Sequence, residues 1–192
     1  MNYCKYLPID AINGRGTRCT LFVAGCIHHC KGCYNQSTWN PNSGSLFTKE
    51  MEDQIINDLL STRIPLRGLS LSGGDPLLPV NIPSILALVK RVKSETKKDI
   101  WLWTGYSVED LKPEQLEVLK YVDVVVDGKY DEALSRPKVP FRGSTNQEII
   151  QLTPGSVPNA LPDTQYIDLH TVAKLNLGHS NSYSKLITLL NY

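Results

Sequence analysis

The sequence predicts an α/β fold built on a mostly parallel sheet, because short apolar strands alternate with amphipathic helices over short connections. The strands are rich in apolar residues almost without interruption, which is typical of strands covered on both faces. Strands are predicted at Cys19–Ala24, Leu69–Leu71, Ile100–Trp103 and Val122–Val126, and helices at 48–60, from Pro83 onward and at Pro113–Lys120.

Local chemistry marks where each helix begins. Thr48 is a side chain suited to cap a helix that reaches about Leu60. Apolar residues recur near helical spacing along it, at Met51, Ile55, Ile56, Leu59 and Leu60. Pro83 and Pro113 suit the first turn of the two later helices, because proline fixes φ and needs no hydrogen-bond acceptor there.

The unusual residues of the chain follow the predicted strands. They are Gly25–Cys33, Ser72–Pro76, Thr104–Tyr106 and Asp127–Lys129. In open parallel sheets, ligands bind beyond the carboxyl ends of the strands. Four separate strand ends therefore indicate one common site.

Size and composition exclude several classes of protein. The chain has 192 residues, of which 41% are hydrophobic and 20% charged, and its net charge is +1. These values predict one globular domain without a basic surface for nucleic acid. Neither a signal peptide nor a membrane span is recognisable, so we expect a cytoplasmic protein with no membrane partner.

The carboxyl-terminal part differs from the rest. Residues 155–192 contain four charged side chains, and prolines at positions 154, 158 and 162 interrupt regular structure. We therefore expect a domain over residues 1–152 and a poorly ordered extension over 153–192.

All five cysteines lie within the first 33 residues, which favours metal or redox chemistry over a disulfide framework. Cys26, Cys30 and Cys33 have the spacing Cys-x3-Cys-x2-Cys on a predicted loop. Thiolates are soft ligands that suit zinc or an iron–sulfur cluster. Three cysteines leave one iron of a four-iron cluster without a protein ligand, and an open position is where a substrate binds.

A structural zinc site is the alternative that the spacing leaves open. Its fourth ligand would be His28, His29 or Cys19. Cys19 lies within a predicted strand and is also readily interpreted as a small core residue. Cys4 has no partner at a motif spacing and is interpreted as an ordinary thiol.

Several segments together resemble the radical S-adenosylmethionine enzymes that activate glycyl radical enzymes, in particular those that act on anaerobic ribonucleoside-triphosphate reductase. The resemblance covers about residues 1–152. It rests on Asn13–Arg18, Gly25–Asn35 with its extension to Trp39, Gly73–Pro76, Trp103–Tyr106, Val126–Lys129 and Arg142–Gln147. Two positions depart from common patterns: Arg15 stands where relatives often have proline, and Gly32 stands where many radical enzymes place an aromatic residue, an arrangement that this subfamily shares.

The resemblance implies a fold and an activity. The fold would be an incomplete (β/α)6-type partial barrel of about six strands, open on one side to a peptide loop. Cys26, Cys30 and Cys33 would hold one [4Fe–4S] cluster, whose open iron binds S-adenosylmethionine. Its reductive cleavage would yield methionine and a 5′-deoxyadenosyl radical, which takes hydrogen from a glycine of the reductase's large subunit. A flavodoxin- or ferredoxin-type protein would supply the electron.

The resemblance also implies which residues contact S-adenosylmethionine. Gly32, Cys33 and Tyr34 would approach the adenine, although Tyr34 is equally explained as a packing aromatic. The turn Gly73, Gly74 and Asp75 would recognise the amino group. Thr104, Asp127 and Lys129 would contact the carboxylate or ribose, with capping or solvated roles as the alternative.

Other roles stay open for three further features. Arg142–Gln147 is polar and could orient a ligand or a partner, and Arg15 and Arg18 are interpreted as surface charges or partner contacts.

Two other functions are compatible with the sequence. One is radical chemistry on a different glycyl radical enzyme or on a small molecule, and the other is a zinc-stabilised interaction module.

Overall fold

The fold is organised around one mixed β-sheet. The structure, a computed structural model, describes residues 1–136 and 139–152 and the backbone of 164–166. Eight strands are found within these residues, in the order β3-β1-β2-β4-β5-β6-β7-β8. The strands are β1 Asn2–Asp10, β2 Arg18–Val23, β3 Ser45–Leu46, β4 Gly68–Gly73, β5 Asp99–Trp103, β6 Val124–Asp127, β7 Glu148–Gln151 and β8 Thr164–Tyr166. The helices are α1 Lys49–Leu60, α2 Ile82–Glu95 and α3 Pro113–Leu119.

The centre of the sheet is parallel, as the sequence predicts. Strands β2, β4, β5 and β6 are parallel neighbours, and α1, α2 and α3 lie on the connections between them. The flanks differ, because β1 pairs antiparallel with β2, and β7 pairs antiparallel with β6. The connection from β1 to β2 covers only residues 11–17. A parallel crossover needs a dozen residues or more, so this short connection requires a hairpin.

The sheet is thus open, and it contains four consecutive parallel strands rather than the six of the expected barrel. The sequence does not predict the strands β1, β3, β7 and β8. β1 mixes apolar and polar residues, with two irregularities in its pairing to β2, so it lacks the clean alternation that marks a strand in sequence.

All three helices described pack on the same face of the sheet. The main core joins α1, α2 and α3 to one set of alternating strand residues, which includes Leu69 and Leu71 of β4. Ser70 between them faces the other side, where Trp101, Val124, Val126 and Ile149 form a second cluster without any helix residue. Residues on both faces of β2, β4, β5 and β6 are nevertheless buried, as the near-continuous apolar strands predict, although helices cover only one face among the described residues.

The predicted helix starts are confirmed. The Met51 N–H donates to Thr48 Oγ1 at the start of α1, and α2 and α3 each carry a proline in the first turn. No described helix has the length and apolar character that a membrane span needs.

Arg18 is completely buried at the start of β2, so its interpretation as a surface charge is wrong. Its guanidinium donates to Ser70 Oγ at 2.8 Å and to the Leu69 carbonyl at 2.8 Å, and it forms an ion pair with Asp99 at 2.5 Å. It also lies over the Trp101 ring. These contacts connect the beginnings of β2, β4 and β5.

The predicted extension over 153–192 lies outside the described residues except for β8. This strand pairs in parallel with β7 at the edge of the sheet. The boundary at residue 152 therefore stays a prediction.

Candidate metal centre

The three cysteines of the motif lie on one loop that leaves the carboxyl end of β2. All three are free and half-buried. The loop folds back on the chain that follows it, since the Gly25 N–H donates to the Thr38 carbonyl at 2.7 Å and the Cys26 N–H to the Trp39 carbonyl at 3.0 Å. The Cys33 N–H donates to the Cys30 carbonyl at 3.2 Å. This segment is defined as the cysteine loop, residues 25–35.

The cysteine thiols lie in a shared electrostatic environment. Burial raises the pKa of Cys26, and negative charge on Asp75, Cys30 and Cys33 raises it further, against the lowering effect of the His28 backbone N–H. The Asn35 backbone N–H donates to Cys33 Sγ at 3.3 Å. A bound cation would favour the thiolate of Cys26 that burial otherwise disfavours, because metal ligands must lose their protons. Soft sulfur ligands with backbone N–H donors fit an iron–sulfur cluster.

The residues considered as a fourth zinc ligand are all engaged elsewhere. His28 Nε2 lies 2.7 Å from Asp75 Oδ2, and the His29 ring packs edge-on against Trp39. Cys19 is buried in the core, where burial raises its pKa to about 12. Within residues 1–136 and 139–152, no group of three or more His, Cys, Asp or Glu side chains could hold a single metal ion. Cys4 lies apart from the cysteine loop, in β1.

The glycine turn after β4 lies directly against the cysteine loop. The Gly74 N–H donates to the Val23 carbonyl at 2.8 Å, and the Asp75 N–H donates to the Gly25 carbonyl at 2.7 Å. A Cβ atom on Gly74 would stand 2.4 Å from the Gly25 oxygen, so only glycine permits this approach. Gly73 has φ +103°, a backbone conformation that also favours glycine. The structure therefore brings together two motifs about 50 residues apart in sequence.

Asp75 is fully buried, and protein donors surround its carboxylate. Oδ1 accepts from the Leu77 N–H at 2.9 Å and from Thr104 Oγ1 at 2.9 Å. Oδ2 lies 2.9 Å from the Gly105 N–H and 2.7 Å from His28 Nε2. The predicted contact of Asp75 with an amino group stays a prediction; in this structure the side chain connects the ends of β4 and β5 to the cysteine loop.

Thr104 and Asp127 lie at the ends of β5 and β6 and are both buried. Thr104 Oγ1 donates to Asp75 and accepts from the Tyr106 N–H at 3.2 Å. Asp127 accepts from the Val108 N–H at 2.9 Å, and burial raises its pKa to about 6. Both side chains thus have the structural roles that the sequence left as alternatives, and a ligand contact stays a prediction for each.

Lys129 lines an open cavity of about 570 Å³ beside the cysteine loop. The lining residues are Lys31, Lys129, Tyr130, Asp131, Glu132, Ala133 and Asn146. Gly32 borders it with φ +72°, and a Cβ there would stand 2.6 Å from the Glu132 carboxylate. Tyr34 is 95% exposed, so it is not a packing aromatic within the described residues.

Comparison with known proteins decides the family. Residues 12–150 match the model of the 4Fe-4S single cluster domain. A protein of Vibrio cholerae is 58% identical over 154 residues, which is 80% of this chain and 99% of its own length. Relatives from Escherichia coli K12 and Enterobacteria phage T4 are 57% and 51% identical, over 79% and 81% of this chain and 99% and 97% of their own lengths. Each is named anaerobic ribonucleoside-triphosphate reductase-activating protein.

The chain belongs to this family of activating proteins. A family with a four-iron domain resolves the choice that the cysteine spacing left open, in favour of iron–sulfur over structural zinc. In this member of the family, the three cysteines of the loop are the candidate ligands, and they lie beside the glycine turn at the carboxyl edge of the parallel strands.

Two segments of this family member have roles that the sequence did not reveal. Arg142–Gln147 forms a turn that closes on itself and on the end of β6. Gln147 Oε1 accepts from the Gly143 N–H at 2.8 Å, and its Nε2 donates to the Gly128 carbonyl at 2.8 Å. The sequence indicates His28 only as a possible zinc ligand, and its contact with Asp75 could not be predicted, because nothing in a pair of adjacent histidines distinguishes the buried one from the exposed one.

Proposed function

We propose that this chain activates an anaerobic ribonucleoside-triphosphate reductase by generating a glycyl radical on its large subunit. The observation that carries the proposal is the identity of 57–58% to two activating proteins along almost their whole length. The three-cysteine loop beside the glycine turn supports it, because this arrangement suits a cluster with one iron open to a ligand.

The cysteine loop would bind the cluster through Cys26, Cys30 and Cys33. When bound, a [4Fe–4S] cluster holds the amino and carboxylate groups of S-adenosylmethionine at its open iron and supplies the electron that cleaves the sulfonium bond. The Asn35 N–H donates to Cys33 Sγ, and all three cysteines are half-buried. Potentials of such clusters depend on these hydrogen bonds and on solvent exposure.

Residues around the same edge of the sheet would bind S-adenosylmethionine. Glycines at positions 32, 73 and 74 leave backbone groups accessible to a close ligand. The remaining residues that we propose for this binding site are Cys33, Tyr34, Asp75, Thr104, Asp127 and Lys129. Exposed Tyr34 and Lys129 are free to meet a ligand directly, whereas buried Asp75, Thr104 and Asp127 would act by shaping the backbone around it.

The open sheet suits a protein substrate. One face of the sheet lacks helices among the described residues, and Thr20 and Ser70 on this face are fully buried, where they donate to Asp10 and to the Asn13 carbonyl. We propose that this face forms the inside of a partial barrel that admits the glycine-bearing loop of the reductase. The 5′-deoxyadenosyl radical would take one hydrogen atom from that glycine, which leaves 5′-deoxyadenosine and a glycyl radical. A flavodoxin- or ferredoxin-type donor would restore the electron.

The test is anaerobic reconstitution with iron and sulfide, reduction, and addition of S-adenosylmethionine. We expect a brown protein with about four irons per chain and the formation of 5′-deoxyadenosine and methionine. With the reductase large subunit present, a glycyl radical signal should appear in electron paramagnetic resonance. No 5′-deoxyadenosine above background would refute the radical chemistry, and cleavage without a radical on the reductase would refute the proposed partner.

A further inference from the structure

His28 lies in the spacer between Cys26 and Cys30, and it is the inward-facing residue of that spacer. Its side chain is 6% exposed, whereas Ile27 is 59% exposed. His29 is also exposed and has φ +47°, so the chain changes direction immediately after His28. The two adjacent histidines therefore occupy different environments.

The His28 ring fits a slot between the ends of β4 and β5. Its Nε2 lies 2.7 Å from Asp75 Oδ2, and its edge meets the Tyr106 ring at a centroid distance of 4.7 Å. A Cβ on Gly105 would stand 2.3 Å from His28 Cδ2, so the slot exists only because residue 105 is glycine. In the tautomer that carries its proton on Nε2, the His28 ring donates to Asp75 Oδ2.

Asp75 itself is held by rigid elements. Its carboxylate accepts from the Leu77 and Gly105 backbone N–H groups and from Thr104 Oγ1, all at 2.9 Å. These donors come from the beginning of the turn after β4 and from the end of β5. These three donors fix the position of the Asp75 carboxylate, so the hydrogen bond with His28 forms to an acceptor that is already held in place.

The cysteine loop is consequently attached to the glycine turn at two points. The first is the backbone bond from Asp75 to Gly25, one residue before Cys26. The second is the His28 side chain, between Cys26 and Cys30. Two attachments around Cys26 restrict both the position and the direction of the chain that carries it.

We propose that His28 is a positioning residue for the iron–sulfur cluster, an inference that rests on the proposed function of the cysteine loop. By its contact with Asp75, His28 holds the loop in the conformation in which Cys26 and Cys30 can bind one cluster. The same contact fixes the position of that cluster relative to the glycine turn. Residues that orient metal ligands typically contribute a factor of about 10–100 in metal affinity.

The experiment compares four proteins loaded with iron under anaerobic conditions: the natural protein, His28→Met, His28→Gln and His29→Asn. Met fills the slot without a donor, whereas the Gln amide places an N–H near the position of Nε2. Asn tolerates the positive φ of residue 29, which makes His29→Asn the matched control. The first measurement is the rate of iron release to a chelator, which requires no activity.

We expect His28→Met to release iron about 10-fold faster, and His28→Gln and His29→Asn to stay within about 3-fold of the natural protein. On adding S-adenosylmethionine, the electron paramagnetic resonance spectrum of the reduced cluster should change in His28→Gln and remain unchanged in His28→Met. Far-ultraviolet circular dichroism of the iron-free proteins checks that each variant folds.

Release at the natural rate from His28→Met would overturn the proposal. Equal acceleration in His28→Met and His28→Gln would also overturn it, since packing alone would then explain the effect. Failure of the proposed function has a different result: the natural protein would bind iron, and the variants would differ, but no 5′-deoxyadenosine would form.

Discussion

The Asp75 backbone N–H donates to the Gly25 carbonyl across 2.7 Å, which joins the turn after β4 to the first residue of the cysteine loop. The contact is close because Gly74 beside it has no side chain. The cysteine loop and the glycine turn therefore form one structural unit, and a change in either should affect the other.

Gly74→Ala should displace the cysteine loop, because the new Cβ would lie 2.4 Å from the Gly25 oxygen. We expect a loss of about 1–3 kcal/mol in the free energy of unfolding and a reduced iron content after reconstitution. Gly128→Ala is the control: φ there is +92°, but the nearest atoms stand 3.8 Å away. It should lose about 1–2 kcal/mol and keep its iron. Equal iron content in the two variants would contradict the close-contact explanation.

The cysteines should divide into two groups when each is changed to alanine. Cys26→Ala, Cys30→Ala and Cys33→Ala should each lose the cluster and form no 5′-deoxyadenosine, because each removes a ligand. Cys4→Ala should leave both unchanged. Cys19→Ala should keep its iron and lose on the order of 1 kcal/mol of stability, since the thiol is buried. Iron analysis and product formation measure the effect, and loss of iron from Cys19→Ala would show that the ligand set is wrong.

Arg18→Met should destabilise the fold without touching the cysteine loop. The change leaves the carboxylate of Asp99, which is 14% exposed, with Arg67 as its remaining charged partner at 2.9 Å. Removing one member of a buried ion pair is costly, and we expect the free energy of unfolding, measured with urea, to fall by about 3 kcal/mol.

Arg91→Met is the control, because Arg91 pairs with three carboxylates at the surface. A stability close to the natural value is expected there, since exposed pairs contribute little. Equal losses in the two variants would contradict the role of burial.

Asp127 should make the protein less stable as the pH rises. Burial raises its pKa from 3.8 to about 6, so the folded state favours the protonated form. The protonated carboxyl contributes its full share of the free energy of unfolding below pH 3.8. This contribution, up to about 3 kcal/mol, is lost as the pH rises through about 6. Asp127→Asn should remove this dependence and still accept from the Val108 N–H. Urea unfolding between pH 4 and 7 measures the difference between the two proteins, and a difference that stays constant with pH would contradict the shift.

A chain that ends at Leu152 should keep the cluster and the cleavage of S-adenosylmethionine. The strand β8 pairs with β7 at one edge of the sheet, whereas β2, which leads into the cysteine loop, lies five positions away from β8 in the strand order. Relatives covered over 97–99% of their length match only about four fifths of this chain. Iron content and 5′-deoxyadenosine formation test the expectation, and loss of either would show that residues beyond 152 belong to the functional domain.

The sequence alone determined the parts of this protein that depend on local spacing. Cysteine spacing placed the candidate ligands on one loop, glycine-rich turns marked the ends of β4 and β5, and Thr48 and Pro83 located the helix starts. Such features are visible because capping, turn geometry and metal ligation act over a few residues.

Only the tertiary structure decided which partners those residues meet. Arg18 and Asp99 are 81 residues apart, and His28 and Asp75 are 47 residues apart, so no local pattern could pair them. The antiparallel flanks, and the face on which none of the described helices packs, likewise depend on how whole strands associate. Asp75 shows the consequence most clearly, since its motif predicts a ligand contact while in the fold its buried carboxylate is surrounded by protein donors. Burial is a property of the assembled chain, and it determines whether a charged side chain faces a ligand or holds the site that receives one.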